Sequence, residues 1–212
     1  VVTSSDWSNG VATGAGAVTF GNGIHGTTGV VSAANSIIGT QANDHIGERG
    51  IFELTNGNYV IVSPDWHNGA ISGAGAVTWG SGTIGINGEV SIGNSLVGSH
   101  VDDHVGVDGV TALANGNFVF RSSSWSDGVV SDVSAVTWAN GSLGTSGIVS
   151  SANSLVGSHA GDNLGSFDII AFNNGNYVVN SPDWDNGSVV DAGAVTWGNG
   201  ASGSAGVINA GN

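Results

Sequence analysis

The stretch Ile51-Phe52-Glu53-Leu54-Thr55-Asn56-Gly57-Asn58-Tyr59-Val60-Ile61-Val62 decides the fold. Two β-rich runs flank an Asn-Gly pair, which marks a hairpin with a type I′ turn because both central residues accept positive φ. Asn115-Gly116 and Asn174-Gly175 repeat the arrangement. Side chains alternate along a strand, so Tyr59 and Ile61 point to one face while Val60 and Val62 point to the other. Both faces are apolar. A strand of this kind belongs to a sheet covered on both sides, and small sheets stacked on one another meet that need. The equivalents of Val62 are Thr3, Arg121 and Asn180, which sets that position near an edge.

Equivalence follows from an internal repeat. Trp7, Trp66, Trp125 and Trp184 are each 59 positions apart, and Phe20, Trp79, Trp138 and Trp197 keep the same spacing, as do Asn35, Asn94, Asn153 and Asn212. Three registers at one period identify a repeat architecture. The 212 residues form one repeat domain, with units at about 1–35 (partial), 36–94, 95–153 and 154–212. What four whole units would add is a counterpart of Ser95 to Phe118.

Each unit reads as four short strands. The first is Ser36–Gly39, Ser95–Gly98 or Ser154–Gly157, the hairpin supplies the second and third, and Gly75–Trp79 with its echoes Gly16–Phe20, Ser134–Trp138 and Gly193–Trp197 supplies the fourth. No segment has a helical period. The fold class is all-β, a β-propeller-like array of four-stranded 59-residue repeats. A parallel β-solenoid is the alternative; against it, the 59 residues contain no sub-period and the Asn-Gly hairpins imply antiparallel neighbours.

Composition narrows the partners. Two Lys+Arg against 16 Asp+Glu give a formal net charge of −14, which repels phosphate backbones and anionic head groups, so nucleic acid is not an expected partner. No apolar run approaches the roughly 20 residues of a spanning helix, so membrane insertion is not expected either. Only 8% of residues are charged, and the polar exterior comes from Asn, Ser, Thr and 38 Gly. Cysteine is absent, which rules out disulfides. This balance is the one associated with exported bacterial surface proteins, and an extracellular, cell-surface, bacterial location is expected. The chain starts Val1-Val2-Thr3 with no signal segment, as a mature or excised piece would.

The run Leu96-Val97-Gly98-Ser99, Val105-Gly106, Val110-Thr111-Ala112-Leu113, Asn115-Gly116-Asn117-Phe118-Val119-Phe120, Gly128 and Ala135-Val136-Thr137-Trp138 resembles the FG-GAP repeat of integrin-α-type β-propellers. Ser181-Pro182-Asp183-Trp184-Asp185-Asn186-Gly187 followed by Ala192–Trp197 is similar to that family's Gly-Ala-Pro segment and the strand after it. The resemblance implies propeller blades and, in many blades, calcium held by an Asp-rich loop. This sequence departs there. The equivalent stretches are the Asn-Gly-Asn turns at 56, 115 and 174, which carry no carboxylate, so blade calcium is not carried over. The chain resembles bacterial tandem repeats of unknown function in large surface proteins more than it resembles integrins.

The candidate ligand-binding motif is Asp6-Trp7, Asp65-Trp66, Asp183-Trp184 and, in the divergent unit, Trp125 after Ser124. The indole can stack on a sugar's apolar face while the carboxylate beside it takes the hydroxyls. The competing reading is that each Trp seals the gap between sheets and each Asp makes a turn. For Phe20, Trp79, Trp138 and Trp197, the exchange of indole for phenyl indicates packing over a required N–H donor. His100 and His104 beside Asp102 and Asp103 invite a metal reading, but the set does not recur in other units, so no metal site is assigned. Asp44, Asp103 and Asp162 do recur, to accept backbone N–H groups in a turn; weak calcium binding there is the sharper alternative, and no other cofactor is expected.

No nucleophile–base pair or carboxylate pair stands out as built once, so the chain is not expected to be an enzyme. The expected function is a non-catalytic structural or adhesive module whose partners are further copies of itself, as homo-oligomer or filament, or neighbouring repeats of a larger chain. The alternative is a multivalent, lectin-like glycan binder using the Asp-Trp motifs.

Overall fold

The computed structural model describes residues 1–212, and every regular element is a strand. In chain order these are β1 (Val2–Ser4), β2 (Ala17–Thr19), β3 (Ser36–Ile38), β4 (Ile51–Glu53), β5 (Tyr59–Ser63), β6 (Ala76–Gly80), β7 (Gly88–Glu89) and β8 (Ser95–Val97). They continue as β9 (Val110–Ala112), β10 (Phe118–Ser122), β11 (Ala135–Ala139), β12 (Gly147–Ile148), β13 (Ser154–Val156), β14 (Asp168–Ala171), β15 (Tyr177–Ser181), β16 (Ala194–Gly198) and β17 (Gly206–Val207). Four sheets result, with orders β1-β2-β3-β7, β4-β5-β6-β8-β12, β9-β10-β11-β13-β17 and β14-β15-β16. None closes into a barrel. The chain is a repeated all-β array.

The hairpin reading holds for strand order but not for turn type. Gly57 N–H donates to the Leu54 carbonyl and Leu54 N–H to Asn58, and of the Asn-Gly pair only Gly57 has positive φ, at 81°. That is a type I turn closed by a left-handed glycine, not type I′. The physical reason lies in the Asn56 side chain. Its Oδ1 accepts Asn58 N–H at 3.1 Å, while its Nδ2 reaches across to the Gly116 and Gly141 carbonyls of the next sheet.

Each unit's first strand joins the sheet of the unit before it. Ser36–Ile38 pairs antiparallel with β2, Ser95–Val97 with β6 and Ser154–Val156 with β11. A fifth strand, absent from the sequence reading, is lent back from further along the chain: β7, β12 and β17 run parallel beside β3, β8 and β13. All remaining strand pairs are antiparallel, so the β-solenoid alternative does not apply.

The core lies between sheets, in three layers. Tyr59 and Ile61 pack with Val18 and Ile37 of the first sheet; Val60 and Val62 pack with Phe118 and Phe120 of the third; Val119 and Val136 pack with Tyr177 and Val179 of the fourth. The alternation along β5 therefore serves two different cores. Val62 is fully buried, which corrects the expectation of an edge position. Its equivalent Arg121 is accommodated because its Nε donates to the Leu164 carbonyl at 2.9 Å.

The layers can be probed at one repeat position that is covered in one sheet and open in another. Val136 and Val195 are equivalent, but Val136 is buried and Val195 is 69% exposed. Val136→Ala is expected to cost about 2 kcal/mol in urea unfolding, and Val195→Ala less than about 0.5 kcal/mol; equal losses would contradict the layer assignment. Burial also raises the Tyr177 hydroxyl from 10.0 to about 12, the nearby Ser204 backbone acting the other way, and that hydroxyl has no hydrogen-bond partner. The folded state thus holds this proton more tightly than the unfolded chain. Its stabilisation is complete below pH 10 and is lost as pH rises towards 12, at about 1.4 kcal/mol per pH unit. Tyr177→Phe should leave stability at pH 7 nearly unchanged and make the alkaline loss shallower by that slope.

Candidate functional site

The Asp-Trp motif follows each hairpin's second strand. Trp66, Trp125 and Trp184 lie inside the three inter-sheet cores, each about 5% exposed, and only Trp7, which has no sheet beyond it, is partly open. Stacking on a sugar needs an open ring face, so these three indoles are closed to that use. They seal the gaps between sheets. Trp125 and Trp184 keep their indole N–H groups buried and unpartnered, so at these two positions the burial of ring area outweighs the loss of a hydrogen bond.

The motif's acidic partners sit at the surface and meet the next loop along. Asp6 lies 3.7 Å from His45 Nδ1, Asp65 3.4 Å from His104 Nδ1, and Asp183 Oδ2 accepts the Ser166 hydroxyl at 3.1 Å. Asp65 and Trp66 are adjacent in sequence, but one faces water and the other the core.

The recurring Asp44, Asp103 and Asp162 are the polar centres of the array, all fully buried. Asp103 Oδ2 accepts the N–H groups of Ser99 and His100, and its Oδ1 accepts Ser126 N–H from the far side of the Trp125 motif. Asp44 does the same for Thr40, Gln41 and His67, and Asp162 for Ser158, His159 and Asp185. One carboxylate thus caps its own turn and holds the residue after the buried Trp. The turn role was visible in the sequence; the third bond, 23 residues away, was not.

At the third of these places His159, Asp162 and Asp185 bring ligand-type atoms within 4.8 Å of one another. The equivalent trios are Gln41, Asp44, His67 and His100, Asp103, Ser126. The shared member is the carboxylate, and its shared partners are backbone N–H groups.

The second aromatic series departs from its expected role. Trp79 Nε1 donates to the Gly141 carbonyl at 2.8 Å, where Asn56 Nδ2 and Asn58 Nδ2 also donate, each at 2.9 Å. Gly200 receives the same three donors from Trp138, Asn115 and Asn117. The indole N–H is therefore used, which corrects the packing-only reading. Phe20 escapes the requirement by stacking parallel on Tyr59, with centroids 6.3 Å apart.

One polar cluster occurs once. A groove of about 310 Å³ is lined by Glu48, Arg49, Pro64, Asp65, His104 and Val107. Burial, with a hydrogen bond and charge repulsion from Asp65, raises the Glu48 carboxyl above its usual range, and His45 and Arg49 offset part of this. The pair does not recur, because the equivalents of Glu48 are Val107 and Ser166, although Asp65 repeats as Asp6 and Asp183.

Asp103→Ala strips three buried N–H groups of their acceptor, and a loss of about 2–4 kcal/mol is expected in denaturant unfolding. The Trp125 fluorescence transition should move with the global one; a loss below about 1 kcal/mol would mean that water replaces the carboxylate.

No curated protein and no solved structure matches the chain. A family described as a repeat of unknown function (DUF5650) matches it four times, at residues 1–48, 53–107, 112–166 and 171–212. Those matches cover nearly the whole length with one recurring unit, and the chain belongs to that family of repeats.

Proposed function

We propose that the chain is a non-catalytic structural repeat module of the bacterial cell exterior, which builds an adhesive or scaffolding assembly by setting its end sheets against further copies of itself or neighbouring repeats. One observation carries this reading: the outer face of the fourth sheet presents the contact set that is satisfied inside the array. Trp79 packs on Gly144, Trp138 on Gly203 and Phe20 on Gly85. Trp197, the next in the series, is 54% exposed, and Gly26, the equivalent socket in the first unit, has nothing near it. Asn174, Asn176 and Trp197 also repeat the three-donor grip without a carbonyl to hold, and Gly23 is the equivalent of Gly141 and Gly200. A chain carrying an unfilled knob at one end and an unfilled socket at the other is suited to head-to-tail association.

A propeller-like arrangement is the finer geometry we favour, supported by the edge strands β4, β9 and β14 of the second, third and fourth sheets lying closest across the sheets, as blades fanning from an axis do, and by the FG-GAP likeness. Composition supports the exterior location. The engagement of the recurring carboxylates with backbone supports a role without cofactor, and burial of three of the four motif indoles weighs against the lectin reading.

Light scattering across a concentration series tests the proposal. Mass should rise with concentration for the native chain and stay monomeric for Trp197→Ala, which removes an exposed ring without touching the cores. A native chain that remains monomeric at its highest soluble concentration overturns the reading.

A further inference from the structure

A groove of about 270 Å³ opens where the edge strands of the second, third and fourth sheets meet. Phe52 of β4, Asp108 before β9, Arg121 of β10, and Phe167 and Asp168 at the start of β14 line it.

Arg121 is held in place with most of its donors unused. Its Nε donates to the Leu164 carbonyl at 2.9 Å, and the side chain lies over Gly165, where an added Cβ would come 3.1 Å from Arg121 Cδ. The two Nη groups donate to nothing in the chain. Arg121 also makes no ion pair, although carboxylates outnumber Lys and Arg by 16 to 2. An arginine fork fixed at Nε with its remaining N–H groups open is a preorganised hydrogen-bond donor.

Acceptors open into the same space. Asp108 Oδ2 takes the Ser123 N–H at 2.7 Å and leaves Oδ1 free, and the Asp168 carboxylate accepts no hydrogen bond from the chain. Beside them Phe167 is 76% exposed. That exposure belongs to the position, because its equivalents Arg49 and Asp108 are exposed with a further sheet after them. The combination occurs once. One unit earlier, the places of Arg121, Asp108, Phe167 and Asp168 hold Val62, Arg49, Asp108 and Gly109, so the packing of the repeat does not call for it.

We propose that this groove binds a neutral sugar ring, with Arg121 donating to adjacent hydroxyls, Asp108 and Asp168 accepting from others, and Phe167 covering the ring's apolar face. Hydroxyl groups both donate and accept, so a sugar answers an arginine and two carboxylates together. An anion would meet two carboxylates and a cation the guanidinium, so the mixed lining favours an uncharged ligand. The volume lies just under the roughly 300 Å³ at which sites for drug-sized ligands begin, which suits one ring. The site uses none of the Asp-Trp indoles and needs no assembled copies, so it stands or falls apart from the assembly proposed above.

The test is NMR of the isotope-labelled chain titrated with the methyl glycosides of glucose, galactose, mannose and N-acetylglucosamine, and with glucuronate as the charged comparison. At least one neutral glycoside is expected to give saturable shifts at the Ser166, Phe167 and Asp168 amides and at Arg121 Nε–H, with a dissociation constant of about 1 mM. Asp168→Ala should weaken that binding about tenfold and Phe167→Ala about fivefold. Both residues are exposed, so the variants should melt at the native temperature. Arg49→Ala, outside the groove, should leave the affinity as it is. Silence at those signals with every glycoside at about 50 mM, or unaltered affinity in both groove variants, overturns the site. Tighter binding of glucuronate than of every neutral glycoside overturns the ligand class.

Discussion

A sheet of short strands with apolar side chains on both faces is not stable by itself, because covering one face leaves the other in water. The central sheets here have that character, since Tyr59 and Ile61 work in one core while Val60 and Val62 work in the next. Each central unit therefore depends on two neighbours, and the energetics become those of a one-dimensional stack held by nearest-neighbour interactions. The polar contacts follow the same logic. The Gly141 and Gly200 carbonyls each collect three side-chain donors from the preceding unit, and Asp44, Asp103 and Asp162 each bind one N–H across a Trp motif. With few charged side chains available, amide and carbonyl groups supply the directional part of the stacking.

The repeat and the hairpins were legible because both are written at fixed spacing. The sheet boundaries were not. Ser95–Val97 opens a sequence unit but joins the preceding sheet, and nothing in its composition says which neighbour it will choose. The fifth strands are two residues long, Gly-Glu, Gly-Ile and Gly-Val, too short for any alternation to register. All three turns depart from type I′ in the same way, and in each the Oδ1 of Asn56, Asn115 or Asn174 accepts the N–H two residues on, a local bond that the propensity of Asn-Gly for type I′ does not contain.

At the candidate sites the sequence named the right residues more often than the right roles. The Trp of each Asp-Trp pair is a core residue, and its recurrence reports the recurrence of the gap it fills. The indole-to-phenyl exchange at Phe20 suggested that N–H donation was dispensable, yet Trp79 and Trp138 both donate. The Glu48–Asp65 pair was invisible for the opposite reason, because its members precede β4 and follow β5 and meet only when those two strands pair.

The stack is also polar. At the second and third interfaces the preceding unit contributes the bulky ring and three N–H donors and the following unit a glycine socket, Gly144 or Gly203, and a carbonyl, Gly141 or Gly200, while the first interface has the Phe20 ring on Gly85 alone, so the two faces of a sheet are not interchangeable. A two-fold dimer would bring like faces together, ring against ring, and would leave the donors of both copies unanswered. Only a head-to-tail contact matches ring to socket and donors to carbonyl. Such a contact is heterologous: it closes into a ring if the rotation between sheets divides a full turn and otherwise continues as a fibre. Both outcomes would use one interface, and the angle between successive sheets would choose between them.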